Sequence, residues 1–469
     1  MNEKLTLSSA EMRDFGYRVI DMIVEHFEQL PDKPVTRKGT PAELKSLLHE
    51  PLPARGIDPD QLLAQLKNHV FSNIKHVDHP RFFAFVPGPG NYIGALADAL
   101  TSGFNVFAGT WFEASGPAQI ELTTIDWLRQ ACGLPETAGG LFVSGGSMAN
   151  IAGLTVARHI RLQDHIHDAV VYFSDQTHSS IERGLFLLGF QKEQMRKLRS
   201  DDAFRIDLST LRLAVRHDRD SGLKPFCVVG SAGTTNTGAI DPLPRLSEYC
   251  KQENLWLHVD GAYGAAAALS ERGKRLLQGL DAVDSLSLDP HKWLFQPYEI
   301  GCVLVRRRRW LKDTFHILPE YLDDAEGKAD EINFCDYGIQ LSRRFRALKL
   351  WMSLKIFGHE NFEKAIHHGF RMAEKAEAVI REMPGWQIVT PAQMAVVNFR
   401  CAPEGVSVTE IDALNRKIVK RIIADGYALV TSTTLRGQVT LRFCTINPRI
   451  TEDDIRGTLQ KLDYYAKST

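Results

Sequence analysis

The sequence predicts an α/β protein: a mostly parallel central sheet with helices on both faces, a small C-terminal α+β domain, and an N-terminal helical segment. Three observations carry this reading. Between about residues 80 and 345, short, almost uninterrupted apolar runs alternate with helical stretches, the texture of strands buried on both faces. Beyond 345, two helical stretches give way to a mixture of strands and helices. Before 75 the chain is helical but broken by proline, six of the 21 prolines falling between Pro31 and Pro59. The expected domains are therefore 1–75, 76–345 and 346–469.

Ser8 and Glu11 stand at capping-box spacing, and Met12, Phe15, Val19, Ile23 and Phe27 recur every three or four residues, which predicts one amphipathic helix over 8–30. Only a short helix, 42–48, fits between the prolines that follow. A segment this small has apolar faces with no local cover, so a second copy of the chain is the expected partner. In the central region the predicted strands are 141–143, 169–173, 226–229, 255–259, 285–288 and 302–305. Helices then run to about 382, followed by strands at 386–389 and 396–400 and a helix at 409–425. Strands at 427–430 and 439–443 and a last helix capped by Thr451 and Asp454 complete the chain.

Composition limits what such a fold can do. Of 469 residues, 44% are hydrophobic and 24% charged, and 56 basic side chains balance 57 acidic ones, so the chain is neither disordered nor a polyelectrolyte for nucleic acid or membrane. The run Arg306 to Arg309 reads as a strand end in solvent. Seven scattered cysteines without a C-x-x-C pair point to a reduced, cytoplasmic protein rather than a disulfide framework or zinc ribbon. No basic-then-apolar leader opens the sequence, and no apolar run reaches the ~20 residues that span a bilayer. Function is thus expected in a local site, without a metal.

Three segments can build one. LWLHVDGAYG ends a buried strand in Asp260, and SLSLDPHKWL ends another in a turn bearing His291 and Lys292, which sets an acid and an amine on one sheet edge. LFVSGGSMAN passes from strand through Gly145, Gly146 and Ser147 into a helix, whose free N–H groups suit a phosphate. The absence of G-K-[ST] argues against a nucleoside triphosphate. A phosphate cradle with a strand-end acid and a strand-end lysine is a combination suited to pyridoxal 5'-phosphate.

With these motifs the chain resembles the group II pyridoxal-phosphate-dependent amino-acid decarboxylases, of fold type I, which include aromatic-L-amino-acid, tyrosine, tryptophan, histidine and glutamate decarboxylases. DPHKW is similar to the family's NPHKW and HVDGAYGA to its HVDAAYAG, which implies Lys292 as the Schiff-base lysine, Asp260 as the pyridinium partner and Ala262 as a contact on one ring face. SDQTHSSIERG resembles SDQAHSSVERA, implying that His178 stacks on the other face. The resemblance further implies cofactor contacts at Thr235 and at Gly146, Ser147 and Met148. Asp289 departs from the family's phosphate-contacting Asn, leaving Ser287 or His291 for that role. Tyr321, in HILPEYLDD, matches the family's proton-donating Tyr on a mobile loop.

The resemblance also bears on substrate. Phe85, Phe107, Trp111 and Tyr298 fall where aromatic decarboxylases line the side-chain pocket, Phe107 being supplied by the neighbouring subunit of a homodimer. Gly88 replaces a substrate-side Thr and is expected to open space. Within 79–112 the only Arg or Lys is Arg81, expected to be structural, so an acidic substrate is disfavoured. Ser342 leans toward tyrosine or DOPA over tryptophan. The expected activity is α-decarboxylation of an aromatic L-amino acid to its amine and CO2. The alternatives are a non-aromatic substrate (glutamate, aspartate, histidine or diaminobutyrate), or an aldehyde synthase or aminotransferase on the same fold. Retention of both His178 and Tyr321 favours plain decarboxylation.

Overall fold

The computed structural model of the chain describes residues 5–317 and 331–468. Helix α1 (Ser9–Gln29) begins at the predicted capping box, Ser8 N–H donating to Glu11 at 2.7 Å. Thr40 and Glu43 repeat the device at α2 (Pro41–Leu48), and Asp58 caps α3 (Pro59–Gln65). The proline count had concealed α3. Pro41 and Pro59 each take the first helical position, where a missing N–H costs nothing. None of these three helices contains a buried residue.

Two helices lead into the central region, α4 (Tyr92–Gly103) and α5 (Trp111–Ala131), the latter kinked at Ala114 ahead of Pro117. Strands and helices then alternate: β1 (Gly139–Val143), α6 (Gly146–Leu162), β2 (Ala169–Ser174), α7 (Ser179–Leu187), β3 (Met195–Leu198) and α8 (Leu208–Asp220). The series continues through β4 (Lys224–Ser231), α9 (Leu243–Gln252), β5 (Trp256–Asp260), α10 (Glu271–Leu276), β6 (Ser285–Leu288), β7 (Gly301–Val305) and α11 (Arg309–Phe315). The seven strands lie in the order β1-β7-β6-β5-β4-β2-β3. Only β7 runs against its neighbours, so the sheet is mostly parallel as predicted. All six predicted strands are present; β3 was not foreseen, because MRKL sits at the sheet edge with a single buried residue and lacks the apolar run of its neighbours.

Parallel pairing is what builds the site. It sets Ser231 of β4 beside Asp260 of β5 and Asp260 beside Ser287 of β6, so three strand ends open on one edge. Behind that edge, Arg343 and Glu121 form a buried ion pair at 2.6 Å, and Arg343 also donates to Ala108 O and Phe142 O. Arg306, first of the basic run, is tied back to Val283 O at 2.9 Å rather than standing free.

The C-terminal part comprises α12 (Ala347–Phe357), α13 (His359–Arg381), β8 (Trp386–Gln393), β9 (Val396–Cys401), α14 (Val408–Asp425), β10 (Thr431–Leu435), β11 (Gln438–Cys444) and α15 (Glu452–Lys467). Its antiparallel sheet has the order β10-β11-β9-β8. The strand expected at 427–430 is displaced. The apolar residues 428–430 are buried but make only one bridge, Leu429 to Phe82, whereas the polar TSTTL forms the edge strand β10. Arg81 is structural as expected, donating to Tyr427 O and Pro31 O and pairing with Asp454. Phe83 stacks on Phe443 at 4.3 Å inside the C-terminal core, so that core borrows a ring from far upstream. Among the described residues no helix is long and apolar enough to cross a membrane.

Candidate active site

Nine of the predicted residues line one cavity of about 290 Å³ at the carboxyl edge of the central sheet: Gly146, Ser147, Met148, His178, Thr235, Asp260, Ala262, His291 and Lys292. Each is delivered by an element end. Gly146 and Ser147 open α6, where the first backbone N–H groups have no helical acceptor. His178 is the N-cap of α7, its Nδ1 accepting the Ser180 N–H at 3.2 Å. Asp260 ends β5, and Lys292 lies in the turn after β6.

Asp260 is 8% exposed, and its Oδ1 accepts from Ala262 N–H and from Ser287 Oγ, both at 3.1 Å. Neither partner carries charge, so the carboxylate's negative charge remains available to a cation in the cavity. The Lys292 ammonium lies 3.0 Å from Asp289 Oδ2. Burial alone would lower its pKa, but the charges of Asp289 and Asp260 and the Asp289 hydrogen bond raise it above the ordinary lysine value. Burial holds His291 and His178 below the ordinary histidine value, against the nearby carboxylates, so both rings are neutral at neutral pH.

Ser287 is corrected by the structure. It is fully buried and does not line the cavity: parallel pairing sets it directly beside Asp260 on the same face, and its hydroxyl is spent on that carboxylate. Gly88 is also corrected: a Cβ there would fall 2.6 Å from the Tyr298 ring, so the space that the glycine opens is filled by that ring. Phe85 and Tyr298 are each 54% exposed, and neither they nor Gly88 nor the half-buried Phe107 lines the cavity. Tyr298 packs beside the cavity-lining His291, their ring centroids 4.8 Å apart. Tyr321 lies outside the described residues. The motifs left Asn150 and Ser180 unmarked although both line the cavity; Asn150 is one helical turn beyond Gly146, and that spacing was the available signal.

The donor set fits pyridoxal 5'-phosphate. A Cβ on Gly146 would lie 2.6 Å from Asp289 Oδ2 and 2.9 Å from Ala262 Cβ, so only glycine leaves the start of α6 open as a phosphate cradle. An amine and a buried carboxylate share the same cavity. One feature resists: Asp289 is 1% exposed, and its Oδ1 is buried without a hydrogen-bond partner. Its Oδ2, paired with Lys292, is the oxygen that borders the cradle, so a carboxylate stands where a phosphate would bind.

A family model described as the pyridoxal-dependent decarboxylase conserved domain matches residues 41–402. The chain is 49% identical over 469 residues to an aromatic-L-amino-acid decarboxylase of Bacillus atrophaeus, covering 100% of this chain and 98% of that protein. It is 28% identical to a phenylacetaldehyde synthase of Arabidopsis thaliana, covering 95% and 94% respectively. The crystal structure of Oryza sativa TDC with PLP and tryptamine superposes with a TM-score of 0.94 at 27% identity, covering 100% of this chain and 99% of that one.

Proposed function

This chain belongs to the pyridoxal-dependent decarboxylase family and is a pyridoxal-phosphate-dependent amino-acid decarboxylase; we propose that its substrate is an aromatic L-amino acid and that the residues gathered above do the chemistry. One observation carries the assignment of roles: Lys292, Asp260, His178 and the open start of α6 converge on a single cavity. The first residues of α6 would hold the phosphate, Lys292 the aldehyde, Asp260 the ring nitrogen, and His178 and Ala262 the two ring faces. When bound, pyridoxal 5'-phosphate supplies an electron-accepting ring that takes up the pair left on the α-carbon as CO2 departs.

The chain's own residues do the rest. Asp260 would favour a protonated ring nitrogen by its charge, and Ser287 with the Ala262 N–H keeps Asp260 aimed. The raised pKa of Lys292 means that its amine must lose a proton before it can attack a carbonyl, and Asp289, at 3.0 Å, is the nearest base. Tyr321 is assigned as the acid that returns a proton to the α-carbon.

An aromatic side chain is supported by the name of the Bacillus atrophaeus relative and by the aromatic residues Phe85, Phe107 and Tyr298. Arg81, the one Arg or Lys in 79–112, is committed to Tyr427, Pro31 and Asp454 and has nothing left for an acidic substrate. We further propose a homodimer. α1 to α3 bury no residue, which is where a second copy would sit.

The test is to reconstitute the enzyme, trap the cofactor with borohydride, map the labelled peptide, and screen CO2 release over tyrosine, DOPA, tryptophan, phenylalanine, histidine, glutamate and aspartate. Label on Lys292 and one equivalent of aromatic amine per CO2 are expected. Label elsewhere would undo the assignment of roles. Hydrogen peroxide with aldehyde in place of amine would move the activity to the synthase reading, which the Arabidopsis thaliana relative keeps in view.

A further inference from the structure

Beneath the cavity, six side chains form one continuous hydrogen-bonded series. Trp256 Nε1–H donates to Ser285 Oγ at 2.8 Å, and Ser285 Oγ lies 2.8 Å from His258 Nδ1. His258 Nε2 is 3.0 Å from Asn150 Oδ1, and Asn150 Nδ2 donates to Ser180 Oγ at 3.0 Å. Ser180 Oγ is 2.9 Å from His178 Nδ1. The other five residues are each at most 3% exposed, and Trp256, Ser285 and His258 do not line the cavity at all.

The direction of the series is fixed at both ends. An indole can only donate, so Ser285 accepts from Trp256 and has its hydroxyl proton left for His258 Nδ1. At the other end the Ser180 backbone N–H, also a donor only, points at His178 Nδ1, making that atom an acceptor for the Ser180 hydroxyl as well. Between them, a neutral imidazole has one donor and one acceptor, and an amide has one of each kind of end. Only one arrangement gives every contact in the series one donor and one acceptor: both His258 and His178 carry their proton on Nε2. Reversing Asn150 would strand the Ser285 hydroxyl proton. Gly153 lets the series exist, since a Cβ there would stand 2.8 Å from His258 Cε1.

We infer that Trp256, Ser285, His258, Asn150 and Ser180 are positioning residues that hold His178 as its neutral Nε2–H tautomer, so that the cavity is faced by a donor and not by a lone pair. Burial keeps both rings uncharged, with His258 pushed down to about 4 and His178 below its ordinary value. The consequence for catalysis rests on the decarboxylase reading above. A fixed N–H donor facing the cavity can hydrogen-bond a substrate oxygen at every turnover without first exchanging tautomers.

Neutron diffraction from deuterated wild-type crystals reads the protons directly, with deuterium expected on Nε2 of both His178 and His258. Deuterium on Nδ1 of either ring overturns the inference, whatever the enzyme's activity. In solution, ¹⁵N-histidine spectra of Ser285→Ala should show His178 titrating higher by about half a unit or more, because its Nδ1 loses an ordered donor. Ser285→Thr, which keeps the hydroxyl, should restore the wild-type midpoint. A folded Ser285→Ala protein with His178 unchanged also overturns it, and if that variant does not fold the wild-type neutron map decides alone. An intact proton arrangement in a protein that releases no CO2 would sink the decarboxylase reading and leave this one standing.

Discussion

At the residue scale, the site depends on a few charges placed where burial makes them strong. Lys292→Ala should abolish turnover and borohydride labelling together, since no second amine lines the described cavity. Tyr321→Phe should stall turnover after CO2 loss, read as CO2 release without matching amine. Asp289 gives a less obvious expectation. Its Oδ2 borders the phosphate cradle while pairing with Lys292, and its Oδ1 has no partner, so Asp289→Asn should tighten pyridoxal 5'-phosphate by about tenfold or more. Pyridoxal, which lacks the phosphate, should bind both proteins alike; fluorescence titration of the two ligands separates repulsion of phosphate from any effect on Lys292. Asp260 and Lys292 were legible in the sequence because strand-end position and motif agreed. The role of Ser287 was not, because only the lateral pairing of β5 with β6 brings its hydroxyl against Asp260.

At the scale of elements, the strands buried on both faces were readable as apolar runs, and the edge strands were not. β3 and β10 carry polar residues because one side meets solvent, so MRKL and TSTTL look like loops until their partners are known. Two helix starts were legible, Ser8 and Thr451, and both close capping boxes; Thr40 and Ser407 close boxes that were not foreseen. The start of α6 is the element end on which function turns. Gly146→Ala should fold yet lose phosphate-ester binding, as seen by equilibrium dialysis, because its Cβ would intrude between Asp289 and Ala262. The Glu121–Arg343 pair fastens α5 to the chain beyond the lysine with both partners at most 4% exposed. Glu121→Leu should cost about 3–5 kcal/mol in denaturant unfolding by leaving a buried guanidinium uncompensated.

For the whole molecule, pH should act through histidines buried as neutral rings. His258 and His79 are both pushed from 6.5 to about 4, chiefly by burial. An unfolded chain binds those protons more readily, so stability falls as pH drops through the window from about 6.5 to about 4. Each ring should cost about 2 kcal/mol by pH 5, measurable as a lower denaturant midpoint. His79→Gln should flatten part of that slope. The proposed dimer belongs to this scale as well: sedimentation should give twice the chain mass, and an active monomer would remove the reason offered for the uncovered faces of α1 to α3. Little of this was legible in the sequence, because the neutrality of buried rings depends on how distant segments meet.

The stacking of Phe83 on Phe443 has a consequence for biosynthesis. About 360 residues separate the two, and a ribosome adding roughly 5–20 residues per second needs roughly 20–70 seconds to make them. For that interval the earlier ring is outside the exit tunnel with no mate. The second core therefore cannot close until translation is nearly finished, and a message truncated anywhere before the final sheet leaves a sticky aromatic for chaperones and proteases to find.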